Sequence, residues 1–227
     1  AFSQHEIDLR HEDALTTADN IMTFKLIVKE IAHRNGIYAT FMPKPLAGQS
    51  GSGMHLHLSL FRDDLNIFYS KNNPYHLSDE AQHFIAGLLR HSNEFFLLTN
   101  QWINSYKRLI LGSDAPAHIS WGLGDYTTLI RVPQYRTEKP NSTRIELKNP
   151  DSAINPYLVF SAILASGMKG IEEKYELPQF VQMEEKPRSR KDLIKMGLTP
   201  VPDSLNESLQ HFEKSALMRE TLGNFIV

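Results

Sequence analysis

Two short stretches of the chain place chemically useful side chains at alternating positions. His55, His57 and Ser59 are separated by Leu56 and Leu58; Arg144, Glu146 and Lys148 are separated by Ile145 and Leu147. Successive side chains of a strand point to opposite faces, so each trio shares one surface. Glu6, in Gln4-His5-Glu6, adds a second carboxylate. Two carboxylates and a neutral imidazole suit Mg²⁺ or Mn²⁺ working on phosphate oxygens better than they suit a tetrahedral zinc site. Strands would also hold such ligands rigidly. Each feature has a plainer reading. A lone His-x-His is more often a solvated or hydrogen-bonded pair, and an Arg-x-Glu-x-Lys strand is more often a solvent-facing row of salt bridges.

A glycine-rich loop, Gly48-Gln49-Ser50-Gly51-Ser52-Gly53, precedes the first of these strands. It lacks the Gly-Lys-Ser/Thr ending of a phosphate-binding P-loop and leads into a strand, so no helix terminus is there to cradle phosphate. Two readings stand: a flexible turn, or backbone that approaches a substrate closely.

The surrounding elements follow from periodicity and caps. Thr16-Thr17-Ala18-Asp19 fits a capping box opening a helix whose apolar stripe is Ile21, Phe24, Val28 and Ile31, ended by Asn35-Gly36. Tyr38–Met42 reads as a strand, and Met54–Phe61 as a strictly alternating one. Ser78 caps a helix running to Leu98, with Ala81, Phe84, Ile85, Leu88 and Leu89 inward. Ala117–Trp121, Thr127–Val132 and Thr143–Lys148 are the remaining strands. Asn155-Pro156 opens a helix to about Tyr175, and Ser204-Leu205-Asn206-Glu207 opens a last one closing at Gly223. Strands and helices intermix without a βαβ rhythm, which predicts an α+β fold with a largely antiparallel sheet.

Composition narrows the function classes. The chain has 227 residues, 41% hydrophobic and 22% charged, which suits a folded domain. A net charge of −2 gives no support for binding nucleic acid or an acidic membrane. The apolar run Tyr157–Met168 is shorter than the roughly 20 residues that span a bilayer. With no cysteine, disulfides, thiolate nucleophiles and cysteine metal sites are excluded. No basic-then-apolar leader opens the sequence, so a soluble cytoplasmic protein is expected. The dense start at Ala1 and the apolar end at Phe225-Ile226-Val227 predict a piece of a longer protein.

Several stretches resemble one family when taken in order. They are Gln4-His5-Glu6, Phe41-Met42-Pro43-Lys44-Pro45, Gly51-Ser52-Gly53-Met54-His55-Leu56-His57, Asn104-Ser105-Tyr106-Lys107-Arg108-Leu109, Arg144-Ile145-Glu146 and Asn155-Pro156-Tyr157. Together they resemble the glutamine synthetase family from Glu6 to about Leu222. The resemblance implies that residues 1–227 are part of a catalytic domain, truncated at the N-terminus and also at the C-terminus. It implies an ATP-dependent ligase in which ATP phosphorylates the glutamate side chain and ammonia displaces phosphate. Two divalent ions, Mg²⁺ or Mn²⁺, stabilise the transferring group. Glu6 matches a ligand of one ion; His55 and Glu146 match ligands of the other. His57, Ser59 and Arg144 match ATP contacts, and Arg131 matches a catalytic phosphate-binding arginine. Gly51 and Arg108 match glutamate-binding positions. The family's remaining metal ligands lie upstream, in a Glu-x-Glu strand and one further glutamate. So does a small domain that completes the neighbouring subunit's site in a homo-oligomeric ring. A chain without them is expected to be inactive by itself.

Four positions depart from the family pattern. Ser50 stands for an asparagine beside the substrate, and Asp114 for the glutamate that deprotonates ammonium. Tyr126 replaces an arginine, with Arg136 or Lys139 as cations that would compensate. Lys148 replaces an arginine at a substrate position and loses the bidentate fork. Three readings follow: glutamine synthesis with these changes accommodated, a ligase joining glutamate to a larger amine, or a catalytically weak nucleotide-binding or assembly subunit.

Overall fold

Seven strands and six α-helices are assigned among the described residues. The structure, a computed structural model, describes residues 2–73, 75–123, 127–133, 140–180 and 189–227. Strands β1 (Leu56–Leu58), β4 (His118–Gly122), β5 (Thr128–Arg131), β6 (Ile145–Leu147) and β7 (Thr199–Pro200) form one sheet in the order β1-β6-β5-β4-β7. Only the β4–β5 pair is parallel; the other three pairs are antiparallel. β2 (Phe61–Arg62) and β3 (Leu65–Asn66) form a separate hairpin. The α+β class with a mostly antiparallel sheet is as the sequence predicts.

The long alternating stretch is divided. β1 pairs with β6 over three residues, after which Ile67 N–H donates to the Leu60 carbonyl and the chain turns at Asp63, φ 55°. The strand expected at Tyr38–Met42 carries no ladder. Side chains hold that segment instead: Ser152 Oγ donates to the Phe41 carbonyl, and Phe41 meets Phe24 edge-on.

Helix α1 (Ala14–Arg34) starts earlier than the sequence suggests. Asp13 is its cap, its carboxylate accepting from Leu15 and Thr16 N–H, because a carboxylate three residues upstream reaches the orphan donors first. Its buried positions are Ala18, Ile21 and Ala32, while Ile31 is 56% exposed. The small Ala32, about one helical step round from Ile31, faces inward in its place.

Helices α2 (Asp79–Thr99) and α3 (Pro156–Glu172) are capped by Ser78 and Asn155 as expected. They pack against each other through small residues. A Cβ on Gly170 would lie 2.7 Å from the Gly87 Cα, so the two backbones are in near contact. Phe84, Ile85, Leu88, Val159 and Ile163 join Leu129, Ile130, Ile145 and Leu147 of the sheet in a single core.

The C-terminal helix expected from Ser204 to Gly223 is two helices, α5 (Leu205–Glu213) and α6 (Ala216–Leu222). Ser215 makes the break. Its hydroxyl accepts from Met218 N–H as a new N-cap and donates to Glu94 of α2. Helix α4 (Arg190–Lys195) is tied to α5 by Arg190, which contacts both Glu207 oxygens.

Glu94 also accepts from His91 Nδ1 at 2.7 Å. Burial pushes the Glu94 carboxyl up, but the His91 and Ser215 hydrogen bonds and the charges of His91 and Arg90 outweigh it and leave the pKa lowered. A depressed folded-state pKa gives stability that is present above the ordinary glutamate pKa and is lost as pH falls through the folded value. Glu94→Gln should therefore destabilise the protein near pH 7 by more than near pH 3. Urea unfolding of both proteins across that range measures the difference; a gap independent of pH would contradict it.

Candidate active site

The sheet register brings the two polar trios together. Glu146 on β6 sits directly opposite His57 on β1 and, on its other side, opposite Arg131 on β5. Residues paired across a ladder share a face, so His55, His57, Arg131, Arg144 and Glu146 line one surface. His55 Nδ1 lies 3.0 Å from Glu146 Oε1, and Arg131 Nε donates to Glu146 Oε2. Arg144 Nε donates to His57 Nδ1 at 3.1 Å. The alternation of β1 holds throughout: Leu56 is buried, while His55, His57 and Ser59 are exposed.

Glu146 is 3% exposed, so the solvent-facing row that an Arg-x-Glu-x-Lys strand ordinarily makes is not what forms. Burial would raise its pKa, yet hydrogen bonds from His55 and Arg131, with the charges of both, bring it down to about 2. The carboxylate is ionised at any physiological pH. His57 is shifted the other way. Although its outer edge is exposed, partial loss of water around the ring lowers its pKa, the Glu146 charge opposes that, and the Arg144 and Arg131 charges reinforce it. As acceptor from Arg144, its Nδ1 carries no proton.

This pair fits a divalent cation. Neighbouring ligands of an octahedral ion, each about 2.1 Å from it, stand about 3 Å apart, which matches the His55–Glu146 spacing. A cation there would displace the proton that Nδ1 lends to the carboxylate. Among the described residues no three His, Cys, Asp or Glu side chains converge on one point. Glu6 is exposed and does not join the pair. Its segment is fastened by Gln4, whose Nε2 donates to the Gly51 carbonyl at 2.8 Å.

A second centre is built on Arg108. Its guanidinium, 4% exposed, donates to the Asn149 and Lys148 carbonyls at 2.8 and 3.0 Å. Burial lowers its pKa to about 10, against the nearby Asp151. The glycine loop lies on this side chain. A Cβ on Gly51 would stand 2.6 Å from the Pro43 carbonyl oxygen and 2.9 Å from Arg108 Cγ, and one on Gly53 would stand 2.5 Å from Arg108 Nη2. The glycines are thus required for close approach to Arg108. Lys148, whose backbone carbonyl Arg108 holds, is 2% exposed.

Ser50 and Asp114 are both exposed, and Ser50 Oγ donates to Asp114 Oδ2 at 3.0 Å. Tyr126, Arg136 and Lys139 lie outside the described residues. Sequence reasoning singled out neither Asn104 nor Asp151 for a role of its own. Asn104 joins two of the motifs, its Oδ1 accepting from Lys44 N–H at 2.7 Å and its Nδ2 donating to the Lys44 carbonyl at 3.0 Å. Asp151 is fully buried, and burial, opposed by the hydrogen bonds it accepts, leaves its pKa raised. Nothing in the local pattern marks either, because their partners are remote in sequence.

Comparison with known proteins agrees with this geometry. The glutamine synthetase catalytic-domain model matches residues 1–227. The chain is 47% identical over 223 residues to the glutamine synthetase of Mycolicibacterium smegmatis, covering 98% of this chain and 50% of that protein. It is 45% identical over 224 residues to the glutamine synthetase of Methanosarcina mazei, covering 99% and 49%. Its length is thus about half that of the curated relatives it matches. Among solved structures, GmaS without ligand superposes with a TM-score of 0.79 at 34% identity, over 93% of this chain and 47% of that one. A GmaS/ADP complex gives a TM-score of 0.80 at 33% identity, over 94% and 48%. Neighbouring strands that set His55, His57, Arg131, Arg144 and Glu146 on one face thus coincide with a family match along the whole chain, which belongs to the glutamine synthetase family.

Proposed function

We propose that the full-length protein is an ATP-dependent ligase that forms glutamine from glutamate and ammonia through a γ-glutamyl phosphate. The observation that carries this reading is the shared face of β1, β5 and β6, where one ionised, largely buried carboxylate is flanked by an imidazole and an arginine. The family match and the ADP-bound structural neighbour support it.

His55 and Glu146 would hold a divalent cation, Mg²⁺ or Mn²⁺, which neutralises charge on the phosphates when bound. Arg131, on the same face, places a fixed positive charge beside the transferring phosphoryl group. Arg144, with His57 and Ser59, orients the nucleotide. The glutamate carboxylate takes the γ-phosphoryl group and ADP leaves. Asp114 accepts a proton from ammonium, the freed ammonia attacks the acyl carbon, and phosphate departs. Glu6 would serve a second divalent cation together with ligands from the rest of the full-length protein. Ser50, Gly51, Arg108 and Lys148 shape the glutamate and amine pocket, with Arg108 acting by holding the backbone around it. No described helix is long and apolar enough to cross a membrane. We place the protein in the cytoplasm as a homo-oligomeric ring.

Phosphate release by the full-length protein, with glutamate and either ammonia or a panel of alkylamines, tests the assignment. Ammonia-dependent release is expected. A marked preference for an alkylamine would move the assignment to a γ-glutamyl-amine ligase, and ATP binding without release would overturn ligase activity. The 227-residue chain alone is expected to release none.

A further inference from the structure

Ser50 and Asp114, two positions that depart from the family pattern, touch each other across 64 residues of sequence. Their loops have separate anchors. The Ser50 loop is held by Ser52 N–H donating to the Pro43 carbonyl at 2.8 Å, by Gln4 on the Gly51 carbonyl at 2.8 Å, and by Lys44 Nζ on the Gln49 carbonyl. The Asp114 loop is held by Ser113, whose N–H donates to the Ile110 carbonyl at 3.1 Å and whose hydroxyl donates to the Arg108 carbonyl at 2.9 Å. Gly51 lies against the Arg108 side chain. Both loops therefore rest on one buried residue, which sets the separation the hydroxyl must bridge.

We propose that Ser50 is a positioning residue for Asp114, clasping Oδ2 so that Oδ1 is presented as the proton acceptor for ammonium. The proposal rests on the ligase reading above. A hydroxyl has one O–H to give and occupies one of the two oxygens; the other keeps its lone pairs. Without the clasp an exposed aspartate samples several side-chain orientations, and only some face the amine. The bond competes with water, so it biases Asp114 without locking it. Its loss weakens amine use and leaves chemistry at the nucleotide face intact, since His55, Glu146 and Arg131 are bound to one another and not to this pair.

The test compares wild-type full-length protein with Ser50→Ala, Ser50→Thr and, as a control for general loosening of the loop, Ser52→Ala. Ser50→Ala should raise the KM for ammonium by roughly fivefold, the scale of one exposed hydrogen bond to a charged group. The KM for ATP, whose contacts lie on the strand face and not at Ser50, should stay within about twofold, the resolution of a single weak contact. Ser50→Thr, which keeps the hydroxyl, should restore the ammonium KM. Amide hydrogen exchange in residues 110–116 should quicken in Ser50→Ala and in neither other variant. An unchanged ammonium KM, an equal shift for ammonium and ATP, or unchanged exchange would overturn the proposal. If the wild-type protein releases no phosphate with any amine, the ligase reading falls, and the exchange result alone decides whether Ser50 holds Asp114.

Discussion

Glu146→Gln in the full-length protein is expected to lower phosphate release by about a thousandfold or more, the scale of losing a fixed electrostatic contact to a transferring group. The change keeps the shape of the side chain and removes its charge. Glu146 is the one acidic group among the described residues of the three-strand face, and with its pKa lowered to about 2 it is charged at physiological pH. It also carries both neighbours: His55 Nδ1 on one oxygen and Arg131 Nε on the other. A glutamine has one acceptor oxygen and offers an NH₂ toward the other, so one of these two donors meets a donor. Mn²⁺ affinity, followed by the signal of the free ion in electron paramagnetic resonance, should fall in parallel, as it does in no account where Glu146 merely supports the sheet. Release within tenfold of wild type, with Mn²⁺ binding unchanged, would remove Glu146 from the site.

The second large effect concerns stability. Gly87→Ala and Gly170→Ala should each destabilise the protein by about 3 kcal/mol, the upper range for overpacking a well-filled interface. At Gly170 the new methyl meets the Gly87 backbone, and at Gly87 it meets the Ser166 carbonyl and the Gly170 backbone. Backbone cannot rotate aside as a side chain does, so α2 and α3 would have to separate, and with them the Phe84, Ile85 and Ile163 layer beneath the sheet. Gly36→Ala is the contrast. It stands at φ 70° with nothing within 4 Å, so only the left-handed backbone is strained, at about 1 kcal/mol. Urea midpoints for the three variants give the order; equal midpoints would show that the helix contact is not tight.

Local sequence determines structure where the cause is local. Ser78, Asn155 and Ser204 cap the helices they were expected to cap, since a side-chain oxygen bonds N–H groups two or three residues on. Ser215 could not be read as a break, because its second bond goes to Glu94 on another helix. Tyr38–Met42 has strand-like composition, but a strand needs a partner, and the backbone carbonyl of Phe41 is taken by Ser152. Ile31 fits the apolar period of α1 as well as Ala32 does, and only packing in the folded chain decides that Ala32 is covered and Ile31 is not.

The functional face divides in the same way. Alternation alone places His55, His57 and Ser59 on one side of a strand, and Arg144 and Glu146 on one side of another, because the pleat of an extended backbone has a period of two wherever it occurs. Which strands become neighbours was settled only in three dimensions. His57 and Arg144 meet across 87 residues, and no local preference encodes that contact. It arises because Leu56, Ile145, Leu147 and Ile130 bury their opposite faces in a common core, and the register that buries them carries the polar groups into line.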